Sequence, residues 1–342
     1  MTPEPDLSEF DALTQLDELR SAYERLQKAH RKAKAKTEDL VAATIQGAAD
    51  AMLALGPIKA VPKPKADGRK GGEVALWHLT DWQGSKVTTS YDSEVMQHRV
   101  LAFCDKAARI TEIQRADHPV NDVTIMFGGD LIEGLFNFPA QPFEVDATIF
   151  GQYVTVARLV VDVVRRALAT YEHVTVVQEW GNHGRIGPKR AAVPRADNFD
   201  RMVYELARGL LSDEKRLTWE DSAEDIQRVE IGNYRALLIH GDEVGRNGYA
   251  SPMTIVNHVA KWQSGSYPWE FRDCYMGHYH TMAQWSLPNG RGSVYQTGSP
   301  ESDNRYAGIH MASSATPSQR LHFVDPDKGR VSAMYQVWLD AA

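Results

Sequence analysis

The stretch Met126-Phe127-Gly128-Gly129-Asp130-Leu131-Ile132-Glu133-Gly134 constrains this chain more than any other. The apolar run from Val123 to Phe127 predicts a buried strand, and the glycine pair after it lets the backbone turn sharply with a carboxylate at the strand's C-terminal tip. In open α/β sheets ligands gather at the carboxyl ends of strands. A Gly-Gly-Asp-x-x-Glu frame at such a tip therefore suggests a divalent cation held for phosphate chemistry. On its own the frame also describes an ordinary Gly-Asp turn. What decides between the two is that four other strand ends carry matching ligand types.

Those strand ends come from periodicity. Strands are expected at Val74 to Leu79, Val123 to Phe127 and Val174 to Val177, with helices at Ser93 to Ala116, Ile149 to Ala169 and Phe199 to Leu211. Further strands are expected at Arg228 to Ile231, Arg235 to Ile239, Arg272 to Met276, Ser293 to Thr297 and Leu321 to Val324. An alternating α/β beginning followed by a strand-rich half predicts two sheets packed face to face with helices outside. This domain spans residues 74–342. Ahead of it lies an arm, residues 1–56, that reads as one long helix or a helical pair, capped by Ser8 and stopped by Gly56-Pro57. Leu16, Tyr23 and His30 alternate with Leu19, Leu26 and Ala33 at heptad spacing, so the arm either packs on its own domain or joins copies into a homo-oligomer. Residues 57–73, rich in Pro, Gly and Lys, read as a linker.

The strand ends from Val74 onward are Thr80-Asp81-Trp82-Gln83, Gly129-Asp130-Leu131-Ile132-Glu133, Trp180-Gly181-Asn182-His183-Gly184, Ile239-His240-Gly241-Asp242 and Gly277-His278-Tyr279-His280. Carboxylate, amide and imidazole ligands together suit Mn, Fe or Zn better than Ca, which prefers all-oxygen shells. The ligand count implies two cations.

In this order the motifs resemble those of the calcineurin-like metallophosphoesterase superfamily: Asp-x-His, Gly-Asp-x-x-[Asp/Glu], Gly-Asn-His-[Asp/Glu], a His after a strand, and Gly-His-x-His. The resemblance runs from about Leu79 to His280. It implies a four-layer α/β/β/α sandwich of two mixed sheets flanked by helices. It further implies that Asp81 and His280 hold a first metal, that Asp130 bridges both metals, and that Asn182, His240 and His278 hold the second. His183 would be the general acid at the leaving oxygen. Gln83 stands where the family usually has a ligating His, and its amide oxygen is a poorer donor than imidazole, so the first site should lean toward Mn, with Fe, Zn or Mg as alternatives. Gly184 replaces the acid after Asn-His, so whatever holds the His183 ring must come from elsewhere. Two cations ~3.5 to 4 Å apart lower the pKa of an attacking water and clamp the entering and leaving oxygens of an in-line displacement at phosphorus.

The substrate is less constrained. Arg185, Lys189, Arg190 and Arg195 fall in one loop after the Asn-His turn with no acid among them, which suits phosphates flanking a scissile one or, equally, a solvated loop. The segment Gly134 to Gln141 resembles an element following the same motif in the exonuclease-like small subunit of archaeal D-family DNA polymerase and in phage-type repair nucleases. Phe136, Phe138 and Phe143 could stack on bases of a frayed end or serve as packing. The net charge of −7 excludes a polycation that coats nucleic acid, so DNA contact would be local. No run approaches the ~20 apolar residues of a membrane span, and a cytoplasmic protein with two reduced cysteines is expected. The resulting expectation is a dinuclear-metal phosphodiesterase acting on DNA, an exo- or endonuclease of the repair or recombination type. The alternatives are a small-molecule phosphoesterase, for example on cyclic nucleotides, or a scaffold whose metal site is vestigial.

Overall fold

The computed structural model describes residues 60–187, 194–220, 224–244, 250–303 and 316–340, with six helical positions near the N-terminus, Glu24, Gln27, Lys28, Gln46, Gly47 and Asp50. The chain divides into two units, Met1–Ala54 and Leu55–Ala342. In the first, Gln46 donates to Asp50 one helical turn on. The heptad positions Leu16, Leu19, Tyr23, Leu26, His30 and Ala33 lie outside the described residues.

In the second unit, runs of buried aliphatic residues form β1 (Val74–Leu79), β2 (Asp122–Phe127) and β3 (His173–Gln178). The crossovers are α1 (Ser93–Arg115) and α2 (Ile149–Thr170), and α3 (Phe199–Leu210) leads to β4 (Leu217–Glu220). There follow β5 (Gln227–Ile231), β6 (Tyr234–Leu238), α4 (Pro252–Lys261), β7 (Asp273–Met276), β8 (Ala283–Ser286), β9 (Ser293–Gln296), β10 (Ser318–Asp325) and β11 (Arg330–Trp338). Each helix starts on a side-chain cap. Asp92, Thr148, Asn198 and Ser251 accept from Val95, Gly151, Asp200 and Thr254 N–H respectively, worth ~1 kcal/mol apiece. No described helix is long and apolar enough to cross a membrane.

The strands make two mixed sheets, ordered β11-β10-β1-β2-β3-β4 and β5-β6-β7-β9-β8. β1 through β4 run parallel, as do β6, β7 and β9, while β10 and β11 close the first sheet antiparallel. Alternation along the strands builds the layers. Leu76, Met126, Val177 and Val324 of the first sheet meet Val229, Tyr234, Ala236, Leu238, Tyr275 and Tyr295 of the second. Trp77, one residue on from Leu76, turns the other way and packs edge-on against Phe103 of α1 and Tyr171 after α2. On the far side, Leu237, Cys274, Met276 and Val294 are covered by Ile255 and Val259 of α4. The result is the expected α/β/β/α sandwich, with four α-helices among the described residues of this unit. β4, α4, β8 and β11 are additions to the expected elements.

The stretch expected as a linker is tied to this unit from residue 60 on. Arg216 donates to Val61 O at 2.8 Å, Lys63 pairs with Glu172, and Asp67 N–H reaches Asn121. Cys104 and Cys274 are free and buried, and burial pushes the Cys104 thiol up to about 12 and the Cys274 thiol well above the ordinary thiol range, so neither is a reactive thiolate.

Candidate metal centre

Five strand ends open on one edge of the sandwich, and the backbone there is unusual. Asp81, Gln83, Asp130, His278 and His280 all adopt left-handed φ, between 48° and 68°, which L-residues enter at a cost of ~1–2 kcal/mol. Cross-loop hydrogen bonds hold this strain in place. Asp81 N–H donates to Gly129 O, Gln83 N–H to Asp130 O, and Gly277 N–H to His240 O, all at 2.9–3.0 Å. Each left-handed residue folds its side chain back over the strand tips, toward its neighbours' side chains.

One cluster gathers on His240. Its Nδ1 lies 2.8 Å from Gly128 O and must carry the hydrogen, so in the neutral ring Nε2 presents a lone pair. That lone pair faces Asp130 Oδ2 and Asn182 Oδ1, both at 3.1 Å, and His278 Nδ1 at 3.3 Å. Acceptors this close repel one another unless a proton or cation lies between them. Ligand atoms ~2.1 Å from an ion stand roughly 3.0–3.4 Å apart, the spacing found here. A second cluster lies across Asp130 Oδ2. His280 Nε2 is 3.4 Å from Asp81 Oδ1 and 3.3 Å from the Gln83 amide, which is itself 3.4 Å from Asp130 Oδ2. Gln83 Oε1 is buried without a partner, and a half-turn of the amide would bring it to this face. Asp130 Oδ2 is thus the atom common to both clusters, while its Oδ1 accepts from His183 N–H at 2.7 Å. The seven residues expected as ligands stand together, and the donor set fits a pair of divalent cations.

Charge tells the same story. Burial opposes ionisation of Asp130, yet His240 and His183 beside it hold its carboxyl well below the usual carboxylate range. Burial likewise opposes charge on His240 and His280, but Asp130 for the one, and Asp81 and Glu301 for the other, hold both rings well above the ordinary value. Burial and the His240 charge push His278 down to about 4. Protons on His240 and His280 therefore do in the metal-free protein what cations would do. Stability from such raised groups is complete below about pH 6.5 and is lost as pH rises through the folded values, whereas cation binding must displace those protons and strengthens with pH. Metal at ~100 times its Kd should add about 2.7 kcal/mol, roughly 5–10 °C in Tm, and the shift should be larger near pH 8 than near pH 6. Thermal scans of chelated and metal-loaded protein check this, and a shift no larger at pH 8 than at pH 6 would count against the site.

The supporting residues were given no site role from sequence. Asp200, buried in the first turn of α3, accepts from Asp130 N–H at 2.8 Å, Gly181 N–H at 2.9 Å and Leu131 N–H at 3.1 Å, clasping the β2 and β3 loops together. Burial and the Asp130 charge push its carboxyl up to about 6, so it stays ionised at neutral pH. Residue 181 must be glycine, because a Cβ there would stand 1.9 Å from Asp130 Oδ1. Glu301 lies 2.9 Å from His280 Nδ1 and orients that ring, and Ser299 Oγ donates to Asp81 O at 2.6 Å. The loop after β9, at the same sheet edge as the β7 loop, was the signal for both.

His183, 19% exposed, stands at the mouth with Nε2 3.9 Å from Asp130 Oδ2. Although burial opposes its charge, Asp130 and Glu133 raise the ring to about 9. Among residues expected to touch substrate, Phe138 lies 5.0 Å from the His183 ring, centroid to centroid, while Phe136 is part-exposed and stacked on Phe199. Arg195 departs from expectation as a free cation. It is largely buried and bound to Glu179 and Glu243, because acids from the β3 and β6 loops converge on it. Arg185 is paired with Asp242. Lys189 and Arg190 lie outside the described residues.

Gln83 offers a direct test of the first cluster. Gln83→His should tighten binding there roughly tenfold, since imidazole outranks an amide oxygen and His tolerates left-handed φ comparatively well. Identical metal titrations of the two proteins would place residue 83 outside the ligand set.

No family model matches the chain, and no curated protein matches it. Among solved structures it is similar to Vps29 from Entamoeba histolytica complexed with zinc, at 13% identity and TM-score 0.35 over 78% of this chain and 99% of that one. It is similar also to a predicted phosphoesterase from Streptococcus pneumoniae, at 11% identity and TM-score 0.28 over 78% and 98%. A third is the phosphopantetheinyl hydrolase of Mycobacterium tuberculosis, at 11% identity and TM-score 0.30 over 70% and 94%.

Proposed function

We propose that this chain is a divalent-metal-dependent phosphodiesterase of the calcineurin-like metallophosphoesterase kind, with DNA as its substrate. The observation that carries the metal chemistry is the double cluster of donors sharing Asp130 Oδ2. Asp81, Gln83 and His280 would hold one cation, Asn182, His240 and His278 the other, and Asp130 both. Cations bound there supply Lewis acidity at phosphorus and lower the pKa of an attacking water. The chain's own groups do the rest. His183, charged at neutral pH and presenting Nε2 at the mouth, gives its proton to the departing oxygen. Phe138 lies 5.0 Å from the His183 ring, centroid to centroid, and gives the proposed proton donor an aromatic neighbour.

Support for a nucleic-acid substrate comes from this rim. Phe143, two residues beyond a glutamine that contacts His183, is 88% exposed, and Phe136 adds a part-exposed ring, a surface on which unpaired bases can stack. A second reading, a small-molecule phosphoesterase, is favoured by the pairing of Arg185 and Arg195 with acids, which neutralises two of the cations a polymer would use. Protein loaded with Mn, Fe, Zn or Mg and offered labelled single- and double-stranded DNA, bis-p-nitrophenyl phosphate and cyclic nucleotides separates the two. Turnover of the small esters with DNA untouched would replace the nuclease reading by the second. Failure to bind metal at all would remove both.

A further inference from the structure

Arg195 reads in sequence as a cation for phosphates, yet its contacts point inward, to the loops that form the His240 cluster. Its Nη2 lies 3.0 Å from Glu179 Oε1 and 3.2 Å from Trp180 O, both on the β3 loop that carries Asn182, and it also pairs with Glu243 on the β6 loop that carries His240. Each acid is built into its own loop. Glu179 Oε1 accepts from Trp180 N–H at 2.8 Å, and Glu179 Oε2 from the Gln227 amide at 3.2 Å. Glu243 Oε2 accepts at 2.7 Å from the N–H of Gly241, the residue after His240. Arg185 makes a second tie between the same loops through Asp242. Asn182 Oδ1 and His240 Nε2, 3.1 Å apart, stand where the two loops meet. Glu179 is wholly buried and Arg195 largely so, and a pair this dry is costly to break from one side alone.

We propose that Arg195 is the positioning residue of the His240 cluster, clamping the loop that bears Asn182 against the loop that bears His240. Its consequence for cation binding rests on the metal-dependent reading of the site, whereas its geometry does not. Three acceptors converge on one nitrogen that carries two hydrogens, so Arg195 supplies a charged donor at a point rather than a bidentate fork. Burial pushes the Glu179 carboxyl up to about 8 although Arg195 opposes the rise, and Glu243 adds to it. Losing the guanidinium therefore leaves two buried acids that disfavour each other's charge between the loops. The spacing of Asn182 and His240 that a cation needs is then no longer held.

Zinc titrations of full-length protein followed by imidazole 15N signals separate the two cation positions, since His240 and His278 report one and His280 the other. Arg195→Gln should raise the zinc concentration at the His240 and His278 midpoints about tenfold or more and leave the His280 midpoint close to wild type. Arg195→Lys should stay near wild type, because an ammonium supplies the same point charge and donors. Should Arg195→Gln not fold, Glu243→Gln carries the same comparison, keeping an acceptor for Gly241 N–H while removing the charge that Arg195 grips. Equal shifts at all three rings, no shift at any, or a lysine variant as weak as the glutamine one would overturn the proposal. Amide exchange in the metal-free protein reads the clamp without zinc. Gly241 N–H should exchange about tenfold faster in Arg195→Gln, whereas Gln83 N–H, bonded to Asp130 O, should keep its wild-type rate. Unchanged exchange at Gly241 overturns the proposal whatever the metal content. A wild type that takes up no zinc but shows the expected exchange difference keeps Arg195 as the clamp and removes the metal-dependent reading of the site instead.

Discussion

Asp130→Asn is expected to remove most of the bound metal and to lower phosphodiesterase turnover by ~10³-fold or more, while the protein stays folded. The substitution is nearly isosteric, so the side chain still accepts from His183 N–H through Oδ1. What changes is the charge at Oδ2, the atom facing His240 on one side and Gln83 on the other. Losing a shared anion weakens both cation positions together, and several kcal/mol of transition-state charge stabilisation corresponds to about three or more orders of magnitude in rate. The electrostatics of the metal-free protein shift too. With no carboxylate beside them, His240 and His183 lose a large part of what keeps them charged, and both rings should titrate lower. Metal analysis of the purified variant and turnover under saturating metal are the measurements. Full metal content with unchanged turnover would mean that Asp130 is not shared between two ions, and the two-cluster assignment would fail.

The site was readable in sequence for a topological reason. Each expected ligand sits within a few residues of the end of an apolar run, and five such strands end on one edge, so placing the strands brought the expected ligands together. The supporting groups do not follow that rule. Asp200 lies 70 residues from Asp130, in the first turn of a helix, where an acid ordinarily serves the helix itself. Glu301 follows β9, a strand end like the others, but it touches a ligand ring rather than offering a ligand, and sequence does not distinguish the two. Gly184 lacks the acid that usually follows Asn-His, and the contact with Asn198 explains the glycine as a steric demand, since a Cβ there would stand 2.3 Å from Asn198 Oδ1. The charges on the loop after Asn182 were visible and their partners were not. Asp242, Glu179 and Glu243 come from other loops, and an arginine beside no acid in sequence can still find acidic partners in space.

The fold shows the same division between local and tertiary information. Strands buried on both faces, such as Val123–Phe127, announce themselves as continuous apolar runs. β4 and β8 have four residues each and are only half buried, too little pattern for periodicity to register. β11 does alternate, with Val331, Ala333, Tyr335 and Val337 on the covered side, but the exposed Met334 and Trp338 on the other blur the contrast. In α4 the β-branched Thr254, Ile255, Val256 and Val259 argue locally against a helix, and packing on the second sheet overrides that preference. Its start was nevertheless written in Ser251-Pro252, a cap followed by proline at the first helical position.

His183→Ala should fail in a different way from Asp130→Asn. The side chain, proposed to protonate the leaving oxygen, has its Nε2 3.9 Å from Asp130 Oδ2, outside the two donor clusters. Removing it should leave metal content and DNA affinity close to wild type and lower the chemical rate by ~10²-fold or more. The loss should depend on the leaving group: large for DNA, whose departing alkoxide needs a proton, and small for bis-p-nitrophenyl phosphate, whose phenolate leaves without one. The pH dependence carries a sign as well. The acid works only while the ring is charged, so wild-type turnover of DNA should fall as pH rises through the ring's pKa, at or below about 9 because nearby cations pull that value down. The variant should show no such fall. Equal losses on both esters would mean that His183 acts on the ions or the fold rather than on the departing oxygen. A loss on DNA that appears in KM alone, with kcat intact, would make it a substrate contact and leave the proton donor to be sought elsewhere at the mouth.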